Sequence, residues 1–423
     1  MYTHFTEVIM PAIPVLMEMT AGGLKVDEEE RKAWQAELRE ELDTLEAQWL
    51  AAHAPVSPYS YKQLNDLVYG KWKLPVQRTK ADGITLDELA CMNLKLIVEG
   101  IGGPKKRPWE QYPECTPETF DLLIKIRGVS KNLKTYAKIN LGADSKVHPG
   151  YLPESKDAET ADGKKRKGAA ATGRLASRDP NIQNQPKRAR RVYVPDHPNF
   201  TFIEWDYSAA ELWVMAAESG DPVMLADLRS GDVHQRGADG IGCVRPTFKN
   251  VVYGTMYGAQ PAKISETIFL NDGVFVPKAE CARVQAGIAQ RWNVMWAYRQ
   301  HIETMAVTDG YVANSFGRVR YFYGGSADIP SALDYVPQST VADILWSVLK
   351  PVNDAVKRYG GRLTTTVHDS ILAQVPDEHV EAAAMDVRKI MQQTWPKVAP
   401  DFFLHVDIKT GKNWGRMSEM EEV

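Results

Sequence analysis

The chain has 423 residues, 44% of them hydrophobic and 25% charged, an ordinary soluble composition that excludes wholesale disorder. At about 150 residues per domain this is length for roughly three domains. No apolar run approaches the ~18–20 residues of a bilayer span, so no membrane partner is expected, and the formal charge of −3 hides a strongly uneven distribution.

Residues 1–26 are apolar, with Pro11, Pro14 and the Gly22-Gly23 break, and predict a short helix followed by a turn or strand. An acid and two prolines within the first stretch argue against a secretory signal. Asp27 with Glu30 is a capping-box signature. Trp34, Leu38, Leu42, Leu45 and Trp49 then repeat at helical spacing, the pattern of a long amphipathic helix. Short helices and turns are expected over 54–120. Arg127, Lys131, Lys134 and Lys138 follow at steps of four, three and four, which puts them on one helical face. Residues 154–170 are polar and read as a mobile loop.

The segment TGRLASRDPNIQNQP (172–186) is dense in turn formers and amides. FTFIEWDYS reads as a strand ending at a carboxylate, followed by a helix from Ala209 to about Ser219. One long helix is expected over 277–308 and a hairpin over 311–323, turning at Phe316-Gly317. The last 90 residues predict helix 338–358, strand RLTTTV, a tight turn at His368-Asp369, strand SILAQV, helix 377–395 and a final strand FFLHVDI. Strands mixed with helices and hairpin signals favour an α+β fold over a doubly wound parallel sheet.

The charge is informative in its placement. Between Lys125 and Arg191 there are 17 Lys/Arg and 6 Asp/Glu, a balance of +11, so the remainder of a chain totalling −3 carries −14. A basic segment within an acidic protein suits a polyanion, and a cationic helical stripe suits a phosphate backbone. The four cysteines, Cys91, Cys115, Cys243 and Cys281, lie far apart with no metal-binding spacing, which fits a reducing intracellular compartment.

Two aspartates stand at strand ends in distant parts of the chain, Asp206 and Asp369. Each alone has the look of a turn residue. Brought together on adjacent strands, they could hold two Mg²⁺ ions ~3.5–4 Å apart, one lowering the pKa of an attacking hydroxyl and the other stabilising a leaving oxygen. A second group is Arg245-x3-Lys249-x3-Tyr253-x3-Tyr257-Gly258. Steps of four residues drift by only ~40° around a helix, so two cations and two rings share one side. Such a side could grip a triphosphate and stack under a base, with His234 as a further donor.

These residues carry a resemblance. DYSAAEL (206–212), the Arg245-to-Gly258 pattern and VHDS (367–370) resemble, in order and spacing, motifs A, B and C of family A DNA polymerases, the group of bacterial DNA polymerase I and several phage replicative enzymes. TGRLASRDPNIQNQP, GDVH (231–234), QSTVADI from Gln338, GKNW (411–414), MPAIPVLMEMTAGGLKVD and IRGVSKNLKTYAK also match, so the likeness covers nearly the whole chain.

The resemblance implies a right-hand polymerase fold whose palm holds an antiparallel sheet. The palm would take 1–26 (its entry segment), 139–216 and 335–423, the thumb 27–138 and the fingers 217–334. It implies a DNA-templated DNA polymerase that adds dNTPs to a primer 3′-hydroxyl on primer-template DNA, with two Mg²⁺ ions for which Mn²⁺ can substitute. Asp206, Asp369 and the Tyr207 carbonyl would bind the metals. Arg245, Lys249 and His234 would hold the triphosphate, Lys249 also protonating the pyrophosphate. Tyr253 and Tyr257 would frame the nascent pair, and Glu211 would exclude a ribose 2′-hydroxyl. Arg174 and Gln338 would contact the minor groove, Asn181, Gln183 and Asn184 the template or primer backbone, and His368 the primer end. The stripe Arg127, Lys131, Lys134 and Lys138 would grip duplex DNA.

Ser370 stands where the family usually has Glu, Trp213 replaces a common Arg, and Asp334 and Pro330 stand where many members carry Asn and Arg. Tyr253 resembles phage members and implies tolerance of dideoxynucleotides. The stretch between His234 and Arg245 is shorter than in bacterial members. No segment is long enough for a 3′–5′ proofreading exonuclease, so no editing is expected. The chain is expected to act as a monomer, with accessory replication factors possible partners, in the cytoplasm (that of a host, if phage-encoded). A single-subunit RNA polymerase, a phosphohydrolase and a non-catalytic DNA-binding module are the rival readings. Glu211 argues against the first, and nine scattered histidines against the second.

Overall fold

Alternating apolar side chains in FTFIEWDY make this segment the middle strand of a five-stranded antiparallel sheet in the computed structural model, which describes residues 4–79, 81–153 and 170–420. The loop expected at 154–170 lies, for 154–169, outside the described residues. The chain divides into two compact units, one of Met1–Glu28, Asn140–Ile264 and Pro277–Val423, the other of Glu29–Ile139 with Ser265–Val276.

In the larger unit, β1 (Leu24–Val26) pairs antiparallel with both β2 (Lys146–Val147) and β3 (Tyr193–Val194) in a small three-stranded sheet. The main sheet is built on β4 (Phe200–Tyr207), which leads into helix α1 (Ala210–Ser219) through Ala209, held at φ 50. Helix α2 (Arg245–Met256) follows, then α3 (Lys278–Arg291), α4 (Asn293–Thr308) and a hairpin of β5 (Tyr311–Ala313) and β6 (Val319–Tyr321). The long helix α5 (Ile329–Arg358) feeds β7 (Arg362–Val367), β8 (Ser370–Pro376), helix α6 (Val380–Met391), β9 (Val406–Gly411) and β10 (Ser418–Glu419).

The main sheet runs in the order β10-β9-β4-β8-β7, every pair antiparallel. One face of β4, with Ile203, Trp205 and Tyr207, is buried. The Trp205 indole donates to the Ala384 carbonyl at 3.0 Å and the Tyr207 hydroxyl to the Met391 carbonyl at 3.0 Å, both on α6. Because side chains alternate along a strand, Glu204 and Asp206 point to the opposite face.

The hairpin expectation and the strands before the last hold, and the helices and the final strand depart in instructive places. The single helix expected over 277–308 is two, broken at Trp292. The cause is Asp221, which is 1% exposed. One of its carboxylate oxygens accepts from the Val223 and Met224 amides at 3.0 and 2.9 Å, capping helix Pro222–Arg229. The other accepts from the Val294 and Met295 amides at 3.1 and 3.0 Å and caps α4. Helix α5 begins at Ile329 rather than 338: Pro330 sits in its first turn, where no amide hydrogen is needed, and the helix runs on through Pro337. The helix expected at 377–395 ends at Met391 after a 3₁₀ turn at Asp377–His379, and the last strand starts at Val406 rather than Phe402.

The smaller unit is helical. Its first helix, Glu28–His53, buries Trp34, Leu38, Leu42 and Trp49, as the periodicity predicts. Helices Glu88–Val98 and Pro117–Lys131 pack together. Among the described residues no helix is long and apolar enough to cross a membrane.

Asp221→Ala removes the caps of two helices and strands four amides, two of them on each helix. It should destabilise the protein by at least about 2 kcal/mol, at about 1 kcal/mol per cap, read as a lower urea midpoint. An unchanged midpoint would remove Asp221 as the cause of the break at Trp292.

Candidate active site

Register places the two aspartates. Asp206 on β4 is the partner of Ser370 on β8, and Ser370 also pairs with Val367 on β7. Residues 368 and 369 are therefore the two-residue turn of the β7–β8 hairpin, with His368 left-handed at φ 57. Asp369 follows as the last residue of the turn, one position along from Asp206 across the ladder. On its other side Asp206 faces Asp407 of β9, whose carboxylate accepts from the Ser208 hydroxyl. Ser370 is buried and its hydroxyl donates to the Val367 carbonyl at 3.0 Å, tying the turn.

The electrostatics follow from this crowding. Burial first, then the charges of Asp369, Glu204 and Asp407, push the Asp206 carboxyl up to about 7, against the pull of Lys409. Burial likewise raises Asp369, opposed by the Arg174 charge. Neither carboxylate is ion-paired among the described residues. Two half-buried, mutually repelling hard-oxygen donors are a fit for divalent cations. No group of three or more His, Cys, Asp or Glu is disposed to hold a metal among the described residues. A cation held here would have to complete its shell with backbone oxygen, water and substrate phosphate, which is how Mg²⁺ is commonly bound.

Around this pair lie several of the other residues singled out in the sequence. Glu211 opens α1; burial raises its carboxyl to about 7, and an ion pair with Arg174 opposes the rise. The charges of Asp369 and Asp334 also act on Glu211. Burial and then the charges of Glu211 and Asp369 raise the Tyr253 phenol, which sets its side of α2 against the same acids. Gln338 on α5 donates its amide to Asp334 one turn earlier. His368 is lowered by burial and by the charges of Arg174 and Arg190.

Helix α2 carries Arg245, Lys249 and Tyr253 along one side, with Tyr257 just past its end. The Tyr253 and Tyr257 rings are 6.4 Å apart, and the His234 ring lies 5.8 Å from that of Tyr253. Burial, then Lys249 and Arg245, bring the His234 imidazole down to about 4, so this histidine is neutral at physiological pH. Arg245 is paired with Asp232 at 2.8 Å, and Lys249 is exposed.

Two of the other expected contacts, Gln183 and Arg127, are turned inward. Gln183 faces inward, donating to the Thr366 carbonyl at 2.9 Å and fastening the 172–186 segment to β7. Asn181 and Asn184 are exposed, with Asn181 accepting from the Asn184 amide at 3.3 Å. In the smaller unit Arg127 is half-buried and donates to the Leu86 carbonyl, while Lys131, Lys134 and Lys138 are exposed. The helix ends at Lys131 and a π-turn covers Asn132–Tyr136, so Lys138 falls beyond it. The Lys134 ammonium sits 5.1 Å from the Tyr59 ring centre.

The model of DNA polymerase family A matches residues 28–416. The chain belongs to DNA polymerase family A.

Among its relatives, DNA polymerase I of Chloroflexus aurantiacus is 26% identical over 98% of this chain and 43% of that protein. The thermostable DNA polymerase I of Thermus aquaticus is 26% identical over 97% of this chain and 48% of that protein. The chain thus spans about half the length of the curated relatives it matches. A solved structure, the POL domain of Pol1 from M. smegmatis in complex with DNA primer-template and dNTP, superposes with a TM-score of 0.79 at 21% identity. It covers 98% of this chain and 71% of the other. The mixed helix-and-sheet fold is that of a family A polymerase domain.

One residue of this family A chain carries no distinguishing signal in the sequence. Arg190, in the 3₁₀ turn Lys187–Val192, stacks its guanidinium 4.5 Å from the Trp414 ring centre and pairs with Glu204 at 3.8 Å. Burial lowers it, and the charges of Glu204 and Asp206 oppose that. The run KRARR (187–191) is the available signal, but its charge merges with that of the basic segment as a whole.

Asp206→Asn should raise the thermal midpoint at pH 8 by several degrees, because it removes one of two repelling charges. A carboxyl raised in the folded state costs stability above its folded value and nothing below its unfolded value of about 4. The gain should therefore vanish as pH falls from 7 toward 4. A pH-independent gain would deny the charge coupling.

Proposed function

We propose that this chain is the catalytic module of a DNA-templated DNA polymerase, extending a primer 3′-hydroxyl with deoxynucleoside triphosphates by phosphoryl transfer with two Mg²⁺ ions, which Mn²⁺ can replace. The observation that carries the reading is the register of β4 against β8, which brings Asp206 and Asp369 to adjoining positions at one end of the sheet. Family membership supports it, as does the likeness in fold to a Pol1 domain solved with DNA primer-template and dNTP.

In this reading the palm is residues 1–26, 139–216 and 335–423, the fingers 217–334 and the thumb 27–138, the last close in extent to the Glu29–Ile139 part of the smaller unit, which also takes in Ser265–Val276. Asp206 and Asp369, with the Tyr207 carbonyl, hold the metal ions. When bound, these ions acidify the attacking hydroxyl and neutralise charge on the leaving oxygen. The protein's own part is positioning and charge. Arg245 and Lys249 take the triphosphate; Arg245 has to exchange its pairing with Asp232 for phosphate oxygens. His234 is neutral, so it offers one ring N–H rather than a charge. Lys249 passes its proton to the departing pyrophosphate. Tyr253 and Tyr257 frame the base pair, and Glu211 occupies the space a 2′-hydroxyl would need. Arg174 and Gln338 read the minor groove at the primer end beside His368. Asn181 and Asn184 meet the strand backbone, and Lys131, Lys134 and Lys138 neutralise duplex phosphates.

Primer extension with Mg²⁺ tests this directly. Asp369→Ala should lower extension by about a thousandfold or more while DNA affinity stays within about twofold. Mg²⁺ should raise the thermal midpoint of the wild type and not of the variant. Extension by the variant at the wild-type rate would remove Asp369 from the metal site. A chain that shifts duplex DNA in a gel but never lengthens a primer would be a binding module, and the polymerase reading would fall.

Glu211→Ala should admit ribonucleotides, bringing the ratio of dNTP to rNTP kcat/KM down by about a hundredfold, the scale at which a lost steric and polar contact discriminates. Unchanged sugar discrimination would refute the gate.

A further inference from the structure

The turn of the β5–β6 hairpin, residues 314–318, is built around a buried acid. Asp343, on α5, is fully buried. One of its oxygens accepts from Nε and Nη2 of Arg318 at 3.0 and 2.8 Å, and the other from the Asn314 amide at 2.8 Å. The Asn314 side-chain oxygen in turn accepts from the backbone amides of Phe316 and Arg318 at 3.0 and 2.9 Å, closing the turn. Nε2 of His4 lies 3.1 Å from the same carboxylate. Burial would raise this carboxyl, but hydrogen bonds from His4 and Arg318 hold it below the usual carboxylate range.

A buried ion pair is weak as glue, because apolar residues of similar volume often hold a fold as well. What it adds is direction: a carboxylate that meets both Nε and Nη2 fixes the plane of the guanidinium. That plane lies on Gly173. A Cβ placed there would stand 2.7 Å from Cζ of Arg318, and Gly173 takes φ 79, so a side chain has neither the space nor the conformation. The Trp346 indole, three residues beyond Asp343 on α5, donates to the Gly173 carbonyl at 2.9 Å. Helix α5 thus holds Gly173 twice, directly through Trp346 and indirectly through Asp343 and Arg318. Arg174 is the next residue in the chain.

The same turn reaches the partner of Arg174. The Ser315 hydroxyl donates to Glu218, which also accepts from the Tyr298 hydroxyl at 2.7 Å and the Thr340 hydroxyl at 3.3 Å. Glu218 stands seven residues, about two helical turns, beyond Glu211 on α1, and so on the same side of that helix. From one short turn, Arg318 holds the backbone behind Arg174 and Ser315 the helix behind Glu211, and those two side chains form an ion pair. We propose that Asp343 is a positioning residue: through Arg318 and the 314–318 turn it sets Arg174 against Glu211. This deepens the polymerase reading, on which it rests for what the two side chains contact; the bracket itself needs only the contacts above.

The test uses the full chain and Arg318→Lys, which keeps a cation for Asp343 but loses the planar fork. The first readout is independent of activity. Urea midpoints of Arg174→Ala, Glu211→Gln and the double variant give the coupling between the two side chains as the departure from additivity. That coupling should be present in the wild-type background and lost in the Arg318→Lys background. Val312→Ala thins the apolar contacts of the hairpin without touching the turn; it should lower the midpoint and leave the coupling in place. Coupling that is absent from the wild-type background, that survives Arg318→Lys, or that Val312→Ala removes equally would overturn the proposal. The second readout is primer extension at a temperature below all the midpoints. Arg318→Lys and Arg174→Ala should each lower kcat/KM by about tenfold or more, the scale of an ångström-sized misplacement. The double variant should be no slower than Arg174→Ala alone, and losses that multiply would mean two independent roles and overturn the proposal too. A wild-type chain that extends no primer would remove the polymerase reading, while the midpoint cycle would still decide the bracket.

Discussion

The pairing of β4 with β8 is the constraint on which the rest depends. A shift of one residue would turn Asp206 to the face that carries Trp205 and Tyr207, against α6, and would separate it from the hairpin turn. Register is secured from both sides. Trp205 and Tyr207 are anchored by side-chain hydrogen bonds to α6, and β9 pairs along the other edge with Asp407 opposite Asp206. The short turn of the β7–β8 hairpin then leaves Asp369 no freedom to lie elsewhere. The repulsion between the two acids is a cost that the surrounding sheet overrides.

A second level of organisation surrounds that pair. Arg174 comes from the amide-rich segment before the sheet, Glu211 from the helix after it, Asp334 and Gln338 from the long helix α5, and Tyr253 from α2. They act on one another, through the charges of Arg174, Glu211 and Asp334 and the hydrogen bond of Gln338, although they are far apart in the chain. Carboxylates outnumber arginines here, and with Glu204 and Asp407 added the cluster is poised for cationic or hydrogen-bond-donating ligands. The basic residues of α2 supply the opposite sign. Arg245 is already engaged with Asp232, so part of the positive charge of this helix is held by an internal partner.

Much of this is legible in the chain, for physical reasons that can be named. Strand alternation around Asp206, the four-residue stride from Arg245 and the tight turn at His368-Asp369 are local signals, and the structure follows them. What escapes depends on distant partners. The break at Trp292 is imposed by Asp221, some seventy residues earlier, and nothing within 277–308 announces it. Pro330 and Pro337 suggest that α5 starts late, whereas one lies in the first turn and the other is carried through by a helix buried along most of its length. Gln183 has the composition of a surface contact, yet its amide is spent on Thr366. Arg127 belongs to the cationic stripe by spacing, but the Leu86 carbonyl draws it inward. Arg190 is hidden in a run of like charges, and its seat on Trp414 and its pairing with Glu204 emerge only in the fold.

In the reading proposed above, the pairing of Arg174 with Glu211 would tie two recognition tasks into a single equilibrium. A guanidinium drawn away toward a base edge leaves behind a buried carboxyl with less compensation, and its hold on a proton tightens. The converse is compulsory: neutralising that carboxyl releases the arginine, with the same free energy. In that reading, contact with the primer end and inspection of the incoming sugar would therefore be reciprocal, a mutation at one shifting the other.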